Sequence, residues 1–176
     1  MTKATYALLG LSFLAAPVHA DGVAKINTHY LWNSDEFDDE QSFGVALGYR
    51  SAAHAIEVEL QINGMDSSRP GFDVDADLIT YAVNYDYHFG QGESLSYYAG
   101  IGVGYSEPEF YTSASMQGRD SITLWQARLG VEHQLSNRLF VGAELRYQDF
   151  GRIEDNGVSF QIGSPLSVGA SLGYRF

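Results

Sequence analysis

The chain of 176 residues carries 10 basic and 22 acidic side chains, a formal charge of −12, and no cysteine. That sign disfavours nucleic acid as a partner, and the missing thiols exclude a disulfide framework and lipid attachment through cysteine. The first twenty residues, "MTKATYALLGLSFLAAPVHA", read as a removable leader. Lys3 is their one charge, an apolar stretch runs from Tyr6 to Ala16, and Val18-His19-Ala20 fits a small-x-small cleavage site. A transmembrane helix needs roughly 20 apolar residues, and this run is shorter. The expected organisation is therefore a signal peptide over 1–20 and one domain over 21–176.

From Gly22 onward, apolar and polar residues alternate with the period of a two-faced strand. Segment 22–32 sets Ala24, Ile26, Thr28, Tyr30 and Trp32 on one face, and 41–50 sets Phe43, Val45, Leu47 and Tyr49. Segment 54–63 follows with Ile56, Val58, Leu60 and Ile62. Segment 77–89 has Ile79, Tyr81, Val83, Tyr85, Tyr87 and Phe89, and 95–105 has Tyr97, Ala99, Ile101, Val103 and Tyr105. Trp125, Ala127, Leu129 and Val131 mark 121–134, and Leu139, Val141, Ala143, Leu145 and Tyr147 mark 138–148. The last segment, 164–176, closes with the stripe from Val168 to Phe176. Connections alternate between short ("SAA", "GQGES", "LSN") and long (33–40, 64–76, 106–120 and 149–163). Eight alternating segments of about ten residues, with long and short loops at opposite ends, predict an all-β, eight-stranded, antiparallel up-and-down transmembrane β-barrel.

A soluble barrel would hide its apolar face and wet the other. Here the face opposite the apolar stripe is polar but sparse. Its charges are Lys25, Arg50, Arg128, Arg146 and Arg175 against Glu57, Glu59, Asp86, Glu132 and Glu144. Five cations and five anions in a narrow lumen can satisfy one another, as buried charges must. Glycines at 44, 48, 100, 102, 104, 130, 142, 169 and 173 share that face and make room for long side chains. Aromatics gather near segment ends, where ring and polar atom suit a membrane–water interface.

Three stretches then resemble small outer-membrane β-barrel proteins of the OmpA/OmpX/Ail type: "YYAGIGVGYSEPEF" (97–110), "RLGVEHQLSNRLFVGAELRYQDFG" (128–151) and "LGYRF" (172–176). The resemblance implies a Gram-negative outer-membrane location, long loops extracellular, both termini periplasmic, and lipid or lipopolysaccharide around the wall. It also implies an assembly signal of Leu172, Tyr174 and Phe176, read by the barrel-assembly machinery. Ser171 stands where the family pattern has glycine. A closed barrel leaves no strand edge needing a partner, so a monomer is expected.

The long connections, with Asp77 at the edge of one, hold fifteen carboxylates against three arginines, so the whole formal charge belongs to one end. Asp73, Asp75 and Asp77 have EF-hand-like spacing, but Leu78 and Asn84 occupy the positions for glycine and the bidentate glutamate. A solvated acidic loop is the reading, with no metal or cofactor. Glu132, His133 and Ser136 carry the residue types of a hydrolase triad, which a lipid A-modifying outer-membrane enzyme would use, yet parity puts Glu132 and His133 on opposite faces, and no enzyme is expected. Eight strands leave a lumen that side chains fill, Tyr98 among them, which argues against the alternative of a small porin. A structural or surface-interaction role remains. Phe110 and Tyr111, read as exposed aromatics on a long loop, are the candidate contact with a host or cell-surface ligand.

Overall fold

The computed structural model describes residues 21–32, 40–69, 72–90, 94–111, 121–155, 158–161 and 164–176. The leader expected over 1–20 lies outside them, as do Asp35, Glu36, Asp38, Asp39 and Asp120. Among the described residues ten strands follow in order: β1 (Asp21–Trp32), β2 (Glu40–Ser51), β3 (His54–Arg69), β4 (Phe72–Phe89), β5 (Leu95–Tyr111), β6 (Ile122–Gln134), β7 (Leu139–Phe150), β8 (Arg152–Asp155), β9 (Val158–Gln161) and β10 (Leu166–Arg175). Eight of them close a barrel in the order β1-β10-β7-β6-β5-β4-β3-β2, while β8 and β9 form a separate two-stranded hairpin. Every pairing is antiparallel, as up-and-down connections require.

The alternation in sequence decides which face each residue takes. Outward Ile26, Leu47, Ile101 and Val103 are 57–65% exposed, whereas inward Asn84, Asp86, Arg146 and Gln148 are 0% exposed. This inverts the pattern of a water-soluble domain and suits a wall immersed in hydrocarbon. The seam between β1 and β10 pairs Ala24 with Tyr174 and Ile26 with Leu172. It ends in a reciprocal pair, Gly22 N–H to Phe176 O at 3.0 Å and Phe176 N–H to Gly22 O at 2.9 Å.

One end of the barrel is tightly connected. Ala52 takes a φ of 50° between β2 and β3, and Gly90 takes 72° after β4, a conformation glycine adopts without penalty. In the turn after β6, Ser136 Oγ accepts from the backbone N–H of Leu139 at 3.1 Å and of Arg138 at 3.3 Å. The start of β1 and the end of β10 lie on this side, since Asp21 pairs with Arg50 beside the first short turn and Val23 pairs with Arg175.

The other end departs from the sequence reading. Strands β3, β4 and β5 run 16, 18 and 17 residues, against 10–13 for the other barrel strands. A crossing strand needs about 9–11 residues, so these three extend well past a bilayer. Residues 64–69 and 72–77, expected as loop, are instead paired up to Arg69 opposite Phe72. Asp73, Asp75 and Asp77 therefore belong to an extended strand, not to a calcium-type loop. Phe110 and Tyr111 likewise end β5, opposite Ala76 and Asp75, not on a loop. Stretch 149–163, expected as a loop, contains the end of β7 and the β8–β9 hairpin.

Candidate functional site: the lumen and its two rims

All ten charges that parity assigns to the lumen are there, and they fall into two linked groups. Nearest the short turns, Glu132 Oε2 accepts from Arg50 Nη1 at 2.8 Å and pairs with Arg175 Nη2 at 3.7 Å. Arg50 also donates through Nη2 to His88 Nδ1. Arg175 lies over the ring of Phe140, 5.1 Å from its centroid. Lys25 Nζ joins this group to the next, 3.9 Å from Glu132 and 2.5 Å from Glu57.

At mid-depth Arg128 binds Asp86 by Nε (3.2 Å) and Nη2, and Glu57 at 3.1 Å. Its Nη1 lies 3.7 Å from both Glu59 and Glu144. Arg146, fully buried, donates to Glu144 at 2.8 Å, Gln61 at 2.7 Å and Glu59 at 2.8 Å. Tyr98 O–H donates to Glu144 at 2.5 Å, and His29 Nε2 lies 3.2 Å from the same carboxylate. A guanidinium offers five donors in a plane, so two arginines can knit four carboxylates into one network. Buried charges this well paired are tolerated where isolated ones are not.

Toward the hairpin end the lumen turns neutral. Gln148 donates to Gln126 (3.1 Å), Gln126 to Asn84 (2.5 Å), and Asn84 to Glu59 (2.9 Å), a relay whose donors all point at one carboxylate. Gln61, Ser42, Asn63, Thr80 and Ser106 form a second string of bonds at 2.7–3.2 Å. Above both, Leu78, Ile122, Leu124 and Phe150 pack as an apolar cap, each at most 5% exposed. A residual cavity among Lys25, Asn27, His29, Tyr98 and Glu144 measures about 10 Å³, room for roughly one water.

Glycine makes this filling fit. Gly100, Gly102, Gly130 and Gly169 sit directly across from Asp86, Asn84, Tyr98 and His29. A Cβ at Gly130 would lie 2.2 Å from Tyr98 Cζ, and one at Gly102 would lie 2.0 Å from Asn84 Oδ1. The polar bonds of His29, His88, the amides and the apolar cap went unread in sequence; their inward parity was the one available signal.

The hydrolase-like trio does not assemble. Glu132 is buried on the cations described above, His133 is exposed on the outer face, and Ser136 serves its turn. The assembly-signal residues Leu172, Tyr174 and Phe176 all face outward, 42%, 42% and 68% exposed. Tyr174 O–H also accepts from Arg138 Nη1 at 3.1 Å.

A closed antiparallel barrel with an apolar wall and a hydrogen-bonded polar interior is a transmembrane β-barrel. The chain belongs to the outer membrane protein beta-barrel domain family, whose model matches residues 6–176. Among solved structures it is similar to Neisserial surface protein A, at 14% identity over 89% of this chain and 97% of that one, with a TM-score of 0.67. It is similar to OprG of Pseudomonas aeruginosa at 13% identity, covering 90% and 96%, with a TM-score of 0.63. It is also similar to Ail, the attachment invasion locus protein of Yersinia pestis, in complex with the heparin analogue sucrose octasulfate. That match has 16% identity, covers 90% and 100%, and has a TM-score of 0.55. At these identities the likeness is one of fold. Comparison with curated proteins gives no match.

Proposed function

We propose that this outer-membrane barrel is a structural and surface-interaction protein, an adhesin or envelope element that acts through its acidic hairpin end. The observation that carries the reading is the division of labour along the barrel axis. The lumen is filled by paired charges, amides and an apolar cap, while the strand ends of β3, β4 and β5 that overshoot the membrane carry Asp66, Asp73, Asp75, Asp77, Glu107 and Glu109 against Arg69. That end faces outside and both termini face the periplasm; the short-turn, long-loop asymmetry of such barrels supports this orientation. The protein acts as a monomer surrounded by lipid and lipopolysaccharide, delivered by the barrel-assembly machinery through Leu172, Tyr174 and Phe176. Phe110 and Tyr111 are the proposed contact with a host or cell-surface ligand. The attachment protein among the similar structures is consistent with such a role. The excess of carboxylates favours basic partners over polysulfated ones.

The experiment compares cells displaying the intact barrel with cells whose 64–77 and 106–120 segments are exchanged for neutral ones. Reduced binding to a basic host-matrix surface is expected after the exchange. Identical binding sinks the surface-interaction reading, and stable single-channel currents from purified protein would favour a narrow pore instead.

A further inference from the structure

Asp149 and Glu107, which sequence alone assigns to loops, lie on the outward wall at the hairpin end. Asp149 is directly opposite Trp125 on the neighbouring strand and faces outward with it. Trp125 Nε1–H donates to Asp149 Oδ2 at 2.9 Å, and Ser164 O–H donates to Oδ1 at 3.0 Å. Tyr147 tilts against Trp125, ring centroids 5.4 Å apart, and the two rings stay 36% and 47% exposed. A second pair of outward rings with a carboxylate nearby lies two strands away. Tyr81 and Tyr105 stack at 5.0 Å, and Glu107 follows Tyr105 on the same outward face, one step nearer the strand tip.

A carboxylate on a wall that is otherwise apolar needs a wet or polar neighbour. Asp149 offers about four lone-pair positions, of which Trp125 and Ser164 take two. Asp149, an anion, repels phosphate, and Trp125 and Tyr147 set flat rings beside its acceptor oxygens, the chemistry that recognises a pyranose: C–H face on the ring, hydroxyl or amide N–H on the carboxylate. We infer that Trp125, Tyr147 and Asp149 form a seat for the sugar headgroup of an outer-leaflet glycolipid, gripped by its glucosamine rather than by its phosphates. This seat rests on the orientation proposed above.

Tryptophan emission reads it directly, because Trp32 and Trp125 are the two tryptophans of the chain. In the Trp32→Phe barrel, folded in detergent micelles, Trp125 is the sole reporter. Intact lipid A, lipid A stripped of both phosphates, and phosphatidylglycerol are titrated in turn, each with and without EDTA. Saturable shifts with both lipid A forms, insensitive to EDTA and absent with phosphatidylglycerol, are expected. Asp149→Ala should weaken both roughly tenfold. Asp149→Asn, which keeps the shape and an acceptor for Trp125, should weaken them less and carries the test if the alanine variant does not fold. A response that needs the phosphates and vanishes with EDTA would assign the site to cation-bridged phosphate and overturn the proposal. An equal response to phosphatidylglycerol, or none to Asp149 substitution, would reduce it to an ordinary aromatic belt. The titration does not depend on orientation, whereas external labelling of a tag within 112–120 on whole cells does. Failure of the seat and failure of the orientation are thus separable.

Discussion

Arg146→Met removes a fully buried cation of the lumen while keeping most of its volume. The wild-type guanidinium is fully buried and holds Glu144 and Glu59 at 2.8 Å and Gln61 at 2.7 Å. After the change Glu144 keeps Tyr98 and His29, and Glu59 keeps Asn27 and Asn84. The remaining cation near both is Arg128, at 3.7 Å. Four carboxylates in the mid-depth group would then face two cations, and removing one partner of a buried pair costs about 3–5 kcal/mol. With a urea slope of about 2 kcal/mol/M, the unfolding midpoint should fall by about 2 M. Adding Glu59→Gln restores the balance and should recover about 2 kcal/mol beyond additivity in a double-mutant cycle. The assay is urea unfolding in lipid vesicles, followed by tryptophan emission and by the heat-dependent gel mobility of folded barrels. A midpoint unchanged in Arg146→Met, or strictly additive effects in the double variant, would refute the claim that these charges are buried and mutually compensating.

Three further perturbations probe the other layers. Gly130→Ala forces Tyr98 away from Glu144 and should cost about 1–3 kcal/mol by the same unfolding assay. Phe150→Ala opens the apolar cap at a cost of about 3–5 kcal/mol, yet planar-bilayer recordings should stay silent because the charged layers below remain closed. Gly22→Val drives a side chain into the Phe176 ring, where a Cβ would already lie 2.3 Å from Cε2. The folded, fast-migrating fraction should drop relative to Thr28→Val on the same outward face.

The strand faces were legible because one residue of slip would have turned every apolar side chain into the lumen. Lys25, Arg128 and Arg146 could be placed inside on parity alone. Their partners could not, since Arg146 reaches Glu59 across 87 positions of sequence, and the stagger of the closed sheet decides which side chains meet. The extension of β3 through Gly64–Arg69 was hidden for a different reason. Outside hydrocarbon a strand has no need of an apolar face, and "GMDSSR" is held by backbone pairing instead of patterning. Leu78, Ile122 and Leu124 escaped because apolar residues on both faces, as in "ITLW", erase the period-two signal. Asp149 reads as loop in the sequence because a lone carboxylate looks like the end of a strand, whereas in the barrel it continues the wall beside Trp125.

The central claim is a closed barrel whose alternate residues face lipid and a packed polar lumen. Strand β10 tests it most directly, by NMR relaxation of side-chain protons with a paramagnet carried on the lipid chains. Broadening should alternate, strong at Leu166, Val168, Ala170, Leu172 and Tyr174 and weak at Ser167, Ser171 and Arg175. Uniform broadening along the strand, or the opposite alternation, would contradict the barrel described above.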